Sequence, residues 1–145
     1  MKLLESETYF KDNYDLRAEI SLKIRNDTTV SEELRTYLAT FYALPDSYII
    51  IRDEEIIGVV FGEILKNDQF DLNYEEVLYT SYYIFPEFRG NNYIVQSIKL
   101  YEQLVKISGI KYLEFCVSKY NKSSLRVMEK IDAKKEWVNF FKKIE

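Results

Sequence analysis

The spacing of apolar residues divides the chain into segments of two kinds. A period of three to four residues, typical of amphipathic helices, occurs at residues 14–25, from residue 31 onward, at 93–108 and at 121–131. Runs rich in β-branched and aromatic residues, typical of strands, occur at residues 3–10, 47–52, 55–64, 77–85, 111–117, 133–136 and 137–143. The polar, acidic stretch 66–76 is predicted to be a loop.

Short polar signals mark the ends of the predicted helices. Ser31 and Asn121 each precede a helical run and are suited to accept a hydrogen bond from its first turn, as an N-cap does. Asp12 or Asn13 has that position for the first helix. Gly109 follows the third helix and suits the left-handed conformation in which many helices end.

The same periodicity predicts which side chains are buried. The first two helices are expected to bury Leu16, Ile20, Leu22 and Ile24, and then Leu34, Leu38 and Phe41. The third helix is expected to bury Ile94, Val95, Ile98, Tyr101, Leu104 and Val105. The cysteine, Cys116, lies in the apolar run 111–117 and is expected to be a small buried side chain.

The order of the elements predicts a fold class. Strand, two helices, three or four strands, helix, strand, helix and strand indicate one domain over residues 1–145, with no linker. The expected fold is a mixed α/β (α+β) domain, in which a central sheet is flanked by about four helices. The runs 47–52 and 55–64 form a hairpin that turns at 53–54, and helix 93–108 is a crossover after the central strand 77–85.

The composition limits the chemistry. Histidine is absent and cysteine occurs once, which excludes Ser-His-Asp and Cys-His catalysis, a histidine base, a structural zinc site and an internal disulfide. Carboxylates, tyrosine, lysine, arginine and backbone amides remain. A single cysteine fits a reducing, cytoplasmic setting. No apolar run approaches the roughly 20 residues that span a bilayer, and residues 1–7 turn acidic too early for a secretory signal.

Charge is distributed unevenly along the chain. Residues 1–88 carry 8 Lys and Arg against 18 Asp and Glu, whereas residues 89–145 carry 12 against 6. One interpretation is a solvated charge pattern. The other is that the C-terminal half meets an anion and the N-terminal half a cation. The net charge of −4 argues against nucleic acid, which needs a basic face.

Residues 84–94 have the pattern of an anion site. An extended segment leads into a short polar loop with Arg89 and Gly90, and a helix begins directly afterwards. The first N–H groups of a helix have no partner within the helix, and the helix dipole favours negative charge at that end. The sequence therefore predicts a phosphate site at this loop.

Two segments resemble the signatures of the GNAT acyltransferase superfamily. Tyr-Tyr-Ile-Phe-Pro-Glu-Phe-Arg-Gly at residues 82–90 is similar to the V-x-P-x-x-R-G-x-G-x-G/A signature of a strand-to-helix turn. Asn-Lys-Ser-Ser-Leu-Arg-Val-Met-Glu-Lys-Ile at residues 121–131 is similar to the N-x-x-A/S-x-x-L-Y-E-K-L-G-F signature that follows it in the family. Order and spacing both agree, and the resemblance extends from about residue 47 to the C-terminus.

The resemblance implies a sheet splayed open at its middle, with acetyl-coenzyme A (acetyl-CoA) in the splay as cosubstrate. The pyrophosphate would lie on the backbone amides of Arg89, Gly90, Asn91, Asn92, Tyr93 and Ile94. The pantetheine arm would pair with the backbone of Ile84 and Phe85 like an added strand. Asn121 would also bond the arm, and Lys122 and Arg126 would lie near the phosphates.

The chain departs from the family signatures at three positions. Asn92 and Ile94 stand where the first signature has glycine or alanine. Asparagine tolerates positive φ, and the Ile94 side chain is expected to point into the core. Met128, expected to pack in the core, stands where the family has a tyrosine that often protonates the leaving thiolate. Tyr83 and Tyr120 carry the nearest hydroxyls in sequence; another residue, a water or no acid at all are open alternatives.

Two carboxylates are candidates for the base that deprotonates an acceptor amine. Glu76 begins the strand that leads into the first signature, and Glu63 ends the strand before it. Each is also interpretable as a surface carboxylate at a strand end, and in the family the base is often a chain of waters. The candidate catalytic residues are therefore Glu76, Glu63 and Tyr83.

These observations predict a cytoplasmic N-acetyltransferase that passes an acetyl group from acetyl-CoA directly to an amine. The acidic N-terminal half favours a cationic acceptor, such as a polyamine, a lysine side chain, an aminoglycoside-like amine or a protein N-terminus. A second hypothesis is a catalytically impaired GNAT-fold module that binds coenzyme A or a protein. A third is an RNA-acting acyltransferase, which the net charge disfavours. A homodimer formed through strand 137–143 is also expected.

Overall fold

A five-stranded sheet is the centre of the computed structural model, which describes residues 1–64, 77–135 and 142–144. Its strands lie side by side in chain order: β1 (Lys2–Glu5), β2 (Tyr48–Arg52), β3 (Glu55–Glu63), β4 (Val77–Ile84) and β5 (Tyr112–Glu114). The α-helices of the described residues are α1 (Ser6–Phe10), α2 (Tyr14–Arg25), α3 (Glu32–Leu38), α4 (Tyr93–Lys106) and α5 (Lys122–Lys130). Because β1 to β4 are antiparallel and β5 is parallel to β4, the predicted mixed fold is confirmed.

Two predicted connections determine the strand order. Asp53 and Glu54 have φ angles of 50° and 66°, the positive values that both central residues of a tight two-residue hairpin turn need. Helix α4 carries the chain from β4 to the parallel strand β5, which a hairpin turn alone cannot do. The hairpin and the helical crossover are both confirmed.

The predicted starts of three helices are confirmed. Side chains of the residues before α2, α3 and α5 accept hydrogen bonds from the backbone of the first turn, at 3.1, 3.4 and 3.1 Å; these residues are Asn13, Ser31 and Asn121. Each bond satisfies an N–H group that has no partner within the helix. Gly109, shortly after α4, has a φ angle of 86°, as predicted.

The prediction of a strand over residues 3–10 is wrong beyond Glu5. The backbone N–H of Ser6 donates to the carbonyl of Ser47 at 2.9 Å, and the two side-chain hydroxyls bond at 2.8 Å. These contacts close the pairing of β1 with β2, and the chain then turns into α1. Helix α1 buries Phe10 against the ring of Phe41, with 6.2 Å between ring centroids.

Strand β5 is shorter than predicted, and the described part of the predicted strand 133–136 is not a strand. Strand β5 ends at Glu114, although the apolar run continues to residue 117, and residues 133–135 form no strand. The predicted loop 66–76 and most of the predicted strand 137–143 lie outside the described residues.

Both faces of the sheet are buried, each by different helices. Alternate residues of β2, β3 and β4, such as Phe61 and Tyr83, pack with α1, α2 and α3. The residues between them, such as Val60, pack with Tyr101 and Val105 of α4. This arrangement follows from the alternation of side chains along a strand. In the described part of the chain, no helix is long and apolar enough to cross a membrane.

Three side chains expected in the core are exposed. Leu22 is 58% exposed because it lies two residues from Ile20 and Ile24, which form the buried face of α2. Leu34, in the first turn of α3, is 45% exposed. Cys116 is exposed because the chain leaves the sheet after Glu114.

Candidate active site

The sheet opens between β4 and β5. Strand β5 pairs only with the start of β4, in a register that ends at Tyr79↔Glu114, whereas β3 pairs with β4 as far as Ile84. Among the described residues, no backbone hydrogen bond joins the stretch from Thr80 to Ile84 to the chain after β5. One edge of β4 is therefore open over its second half, and the splayed sheet that the resemblance implies is present.

The open edge presents the backbone of alternate residues. The N–H of Phe85 donates to Ile57 O at 2.9 Å, and its carbonyl accepts from Phe88 N–H at 2.9 Å. In an antiparallel ladder, successive residues direct their backbone groups to opposite sides. The groups of Tyr82 and Ile84 therefore face the opening. Of the two residues predicted to pair with the arm, Ile84 keeps only its N–H group available, because its carbonyl accepts from Arg89 Nε at 2.9 Å. Both backbone groups of Phe85 are occupied.

The loop between β4 and α4 has two residues with positive φ. Gly90 has a φ of 85° and Asn92 a φ of 58°. Asparagine is enriched in this left-handed region, so Asn92 adopts the turn that glycine gives in the family signature. Ile94 is half-buried and packs against the core cluster on the α4 face of the sheet, as expected.

The start of α4 carries free backbone donors. Asn92 provides no side-chain cap for α4, unlike the capping residues of α2, α3 and α5. Within residues 1–64, 77–135 and 142–144, the N–H groups of residues 90–95 donate to no acceptor, while that of Arg89 donates to Pro86 O at 3.3 Å. Free amides and the dipole of this 14-residue helix favour an anion here.

A lysine that the sequence analysis missed reaches this loop. The Nζ of Lys130, in the last turn of α5, donates to Oδ1 of Asn92. Lys122 and Arg126 lie at helical spacings before Lys130, so the three cations share one face of α5. The contact at Lys130 brings the C-terminal end of that face to the loop. The placement of Lys122 and Arg126 near phosphates stays a prediction.

The guanidinium of Arg89 is held by other groups of the protein. Its Nε donates to Ile84 O at 2.9 Å, its Nη1 to Thr29 Oγ1 at 2.8 Å and its Nη2 to Asp27 Oδ2 at 2.7 Å. Asp27 and Thr29 lie in the turn between α2 and α3. The sequence analysis missed both, because only folding brings this turn to Arg89.

Asp27 is the centre of this network, and only 4% of its side chain is exposed. Its Oδ1 accepts from the N–H and the hydroxyl of Thr29 at 3.0 and 2.6 Å, and its Oδ2 accepts from the hydroxyl of Tyr83 at 2.6 Å as well as from Arg89. Burial alone would raise the pKa of Asp27, but the bonds from Thr29, Tyr83 and Arg89 together lower it well below its usual range. Asp27 is therefore a buried anion with its acceptor positions filled.

The neighbouring tyrosines Tyr82 and Tyr83 point to opposite faces of the sheet. Burial, followed by the bond to Asp27, raises the pKa of Tyr83, whose hydroxyl proton is committed to that carboxylate. The hydroxyl of Tyr82 is buried and has no hydrogen-bond partner among the described residues. Burial raises the pKa of Tyr82, and nearby Ser124 opposes the shift. Tyr120, the other hydroxyl considered, is 81% exposed.

A group of ionisable side chains surrounds Glu63 on the α3 side of the sheet. Glu63 is half-buried at the end of β3. Burial and then the Glu63 carboxylate raise the pKa of Tyr37, whose buried hydroxyl has no hydrogen-bond partner in the described part of the chain. Burial, followed by Cys116 and Tyr37, raises the pKa of Tyr79 to about 12. Glu76, the other candidate base, lies outside the described residues.

A family model gives the identification. The model of the acetyltransferase (GNAT) family matches residues 10–132, a range that includes strands β2 to β5, the loop at 89–94 and helix α5. The chain belongs to the GNAT acetyltransferase family. No curated protein sequence matches it.

Solved GNAT structures share the fold. The structure of AAC(6')-Iy in complex with the bisubstrate analog CoA-S-monomethyl-acetylneamine is 17% identical, with a TM-score of 0.61 over 91% of this chain and 93% of that one. The aminoglycoside acetyltransferase meta-AAC0020, from an uncultured soil metagenomic sample and in complex with sisomicin, is 11% identical. Its TM-score is 0.59 over 99% of this chain and 95% of that one.

Two residues of the second GNAT signature have defined positions. Asn121 caps α5, because its Oδ1 accepts from Ser124 N–H at 3.1 Å. Its role toward a pantetheine arm stays a prediction. Met128, at the position of the family's tyrosine, is half-buried and offers no proton.

Proposed function

We propose that this GNAT domain transfers an acetyl group from acetyl-CoA directly to an amine, and that the acceptor is cationic. The observation that carries the proposal is the open edge of β4 directly beside the uncapped start of α4. An extended thioester arm needs backbone partners along its length, and a diphosphate needs free donors at its end. The site offers both, in that order along the chain.

Different groups at the site would bind different parts of the coenzyme. The free amides of residues 90–95 would hold the diphosphate, with Lys130, Arg126 and Lys122 adding positive charge. The N–H of Ile84 and the backbone of Tyr82 would pair with the arm, while the carbonyl of Ile84 stays bonded to Arg89. Acetyl-CoA supplies the acyl group in activated form, as a thioester.

Catalysis would depend mainly on placement. The acceptor amine attacks the thioester carbonyl carbon held at the open edge, and the N–H of Ile84, which faces the opening, would stabilise the oxyanion. The C–S bond then breaks, and CoA leaves as a thiolate that takes a proton from water. The half-buried Glu63 is the proposed base; because it pairs with Tyr79, five residues along β4 from Ile84, it would take the proton from the amine through intervening waters.

Cationic acceptors are favoured because the Glu63 carboxylate and the hydroxyls of Tyr37 and Tyr79 lie together on the α3 side of the sheet. AAC(6')-Iy and meta-AAC0020 are aminoglycoside acetyltransferases, and aminoglycosides are amines.

Binding and turnover test the proposal separately. Calorimetry with CoA and acetyl-CoA is expected to show binding, and thiol release is expected with at least one amine from a panel of polyamines, aminoglycosides, lysine and N-terminal peptides. The proposal would be overturned if the protein showed neither a heat of binding nor a thermal shift at millimolar coenzyme.

A change at Glu63 tests the base. Glu63→Gln keeps the side-chain shape but removes the proton acceptor, so we expect the rate of thiol release to fall by roughly 10²- to 10⁴-fold. The matched control is Glu55→Gln, at the opposite, exposed end of the same strand, which should retain the wild-type rate. Equal rates for both variants would assign the base to another group.

The second candidate is a GNAT-fold module that binds the coenzyme without catalysis. Met128 offers no proton, and the hydroxyl of Tyr83 is committed to Asp27, so neither provides an acid for the leaving thiolate. Coenzyme binding without thiol release across the whole panel would support this alternative.

A further inference from the structure

The contacts of Arg89 point to a role different from phosphate binding. Three of its nitrogens donate to protein acceptors at 2.7 to 2.9 Å, and these acceptors come from β4 and from the turn after α2. These bonds use three of the five N–H groups of the guanidinium and leave two for a ligand. The side chain is thus well placed to fix the backbone that carries it.

Arg89 lies directly before the segment that carries the free amides. The residue before it ends the short 3₁₀ turn Pro86–Phe88, and the residue after it, Gly90, has a φ of 85°. The free amides of residues 90–95 follow directly. Glycine permits many backbone conformations. A side chain that is fixed directly before Gly90 anchors one end of the segment that carries these amides.

Asp27 is a suitable fixed point for this side chain. It is buried, and Thr29 and Tyr83 hold its carboxylate independently of Arg89. A charge-assisted bond between a buried carboxylate and a guanidinium is among the stronger and more directional contacts in proteins. The turn between α2 and α3 thus determines the position of Arg89 from across the molecule.

We propose that Asp27 is a positioning residue for the loop at residues 89–94. It acts through Arg89 to hold the amides of residues 90–95 in an arrangement that binds a diphosphate. The proposal rests on the proposed function, because it takes the diphosphate of CoA as the ligand of this loop. It extends that function to an acidic residue that would not touch the ligand.

The proposal predicts a sign opposite to that of simple electrostatics. If Arg89 gripped the phosphates, Asp27 would compete for its charge, and neutralising Asp27 would strengthen CoA binding. If Asp27 positions the loop, the same change weakens binding, because the amides lose their arrangement. The direction of the effect therefore decides between the two roles.

The experiment compares Asp27→Asn with Glu87→Gln, a matched change of an acidic residue near Arg89. Glu87 is exposed and pairs with Lys23 of α2, so Glu87→Gln removes a negative charge near the loop and leaves Arg89 bound. Calorimetry with CoA is expected to show affinity lowered about tenfold or more for Asp27→Asn. For Glu87→Gln, CoA affinity should be unchanged or slightly higher.

Two further readouts separate positioning from general damage. Pantetheine, which lacks the diphosphate, should bind both variants as it binds wild type, as measured by saturation-transfer NMR. Without ligand, the backbone of residues 90–95 should be more mobile in Asp27→Asn than in Glu87→Gln, which lower ¹⁵N relaxation order parameters would show. Hydrogen exchange would not report this, because these amides have no hydrogen bond to lose. Thr29→Val, which removes one partner of Arg89 and keeps the shape, should give an intermediate loss of CoA affinity.

The outcomes are distinguishable. Tighter or unchanged CoA binding by Asp27→Asn overturns the positioning role, as does an equal loss for CoA and pantetheine. If wild type binds no CoA, the proposed function fails, and the order parameters of residues 90–95 still show whether Asp27 orders the loop. Unchanged order parameters at residues 90–95 overturn the proposal regardless of the ligand.

Discussion

At the scale of single residues, Tyr82 and Tyr83 show how one step along a strand changes the environment of the same side chain. The hydroxyl of Tyr83 donates to Asp27 at 2.6 Å, whereas that of Tyr82 is buried with no partner among the described residues. A hydrogen bond to a charged group contributes to stability, and a buried polar group without a partner lowers it. The two hydroxyls therefore have opposite effects on folding.

Removing the two hydroxyls should change stability in opposite directions. We expect Tyr83→Phe to lower the free energy of unfolding by about 1.5–3 kcal/mol, because Asp27 loses a donor. Tyr82→Phe should leave this free energy unchanged or raise it by up to about 1 kcal/mol, since no bond is lost. Urea unfolding of the ligand-free protein measures both, and equal losses for the two variants would contradict the assignment.

The lowered pKa of Asp27 predicts a dependence of stability on pH. A carboxyl whose folded pKa lies below its unfolded value, about 3.9, stabilises the fold above that value, and this contribution is lost as pH falls toward the folded pKa. The difference in unfolding free energy between wild type and Asp27→Asn should therefore be constant from about pH 8 to 5. Below about pH 4 it should shrink; a difference that stays constant to lower pH would contradict the role of the Asp27 charge.

The Asp27 to Arg89 contact also shows what single residues can and cannot predict. The turn at Asp27 and Thr29 has a local signal, because aspartate commonly bonds the N–H two residues onward. Its partner is 62 positions away and is brought close only by the packing of α2 and α3 on the sheet. The loop at 89–94 was predictable because its parts are adjacent in the sequence.

At the scale of secondary-structure elements, local signals predicted helices better than strand ends. Asn13, Ser31 and Asn121 cap their helices as expected, because a cap bonds within its own first turn. The end of β5 at Glu114 was not predictable, because the apolar run continues and only the separation from β4 ends the pairing. Strand length is thus decided by a neighbour rather than by propensity.

Strand β3 requires glycine at its contact with β4. A Cβ atom on Gly58 would lie 2.1 Å from the carbonyl oxygen of Tyr83 and 3.0 Å from Cα of Ile84. Both are backbone atoms, so relief requires a shift of β4 itself. This close approach lies beside the open edge of the site, which makes β3 part of its support.

Gly58→Ala should therefore be destabilising for a steric reason. We expect a loss of about 1–3 kcal/mol or more in unfolding free energy, together with weaker CoA binding. Gly109→Ala is the matched control: its added Cβ meets nothing within 4 Å, and only its φ of 86° is unfavourable, so about 1 kcal/mol and no effect on CoA binding are expected. Similar losses for Gly58→Ala and Gly109→Ala, in stability and in CoA binding, would contradict the steric account.

At the scale of the whole molecule, the uneven charge has a structural counterpart. The basic C-terminal half contributes α5, whose Lys130 contacts the loop at residues 89–94, and the acidic half contributes Asp27 and Glu63. One of the two interpretations of the charge asymmetry was that the C-terminal half meets an anion, and this stays a prediction. The asymmetry could not indicate that a buried acid, Asp27, bonds the arginine of this loop.

Salt should reveal the contribution of α5 to binding. Lys130→Met removes a charge next to the loop, so we expect CoA affinity to fall several-fold at low salt and its dependence on salt to become weaker. Lys106→Met, at the far end of α4, is the control and should match wild type. Calorimetry at about 20 mM and 300 mM salt, on either side of the range in which surface charges become screened, tests this; identical salt dependence in all three proteins would exclude α5 from the site.

The open edge of β4 has a further consequence, for solubility. Unpaired N–H and C=O groups on a strand are what a strand of another molecule needs to join the sheet, and proteins generally protect such edges. Here the stretch from Thr80 to Ile84 is also rich in aromatic and β-branched residues, a composition prone to cross-β assembly. A bound arm would act as a removable cover for this edge, so coenzyme should delay heat-induced aggregation by more than its effect on unfolding alone accounts for.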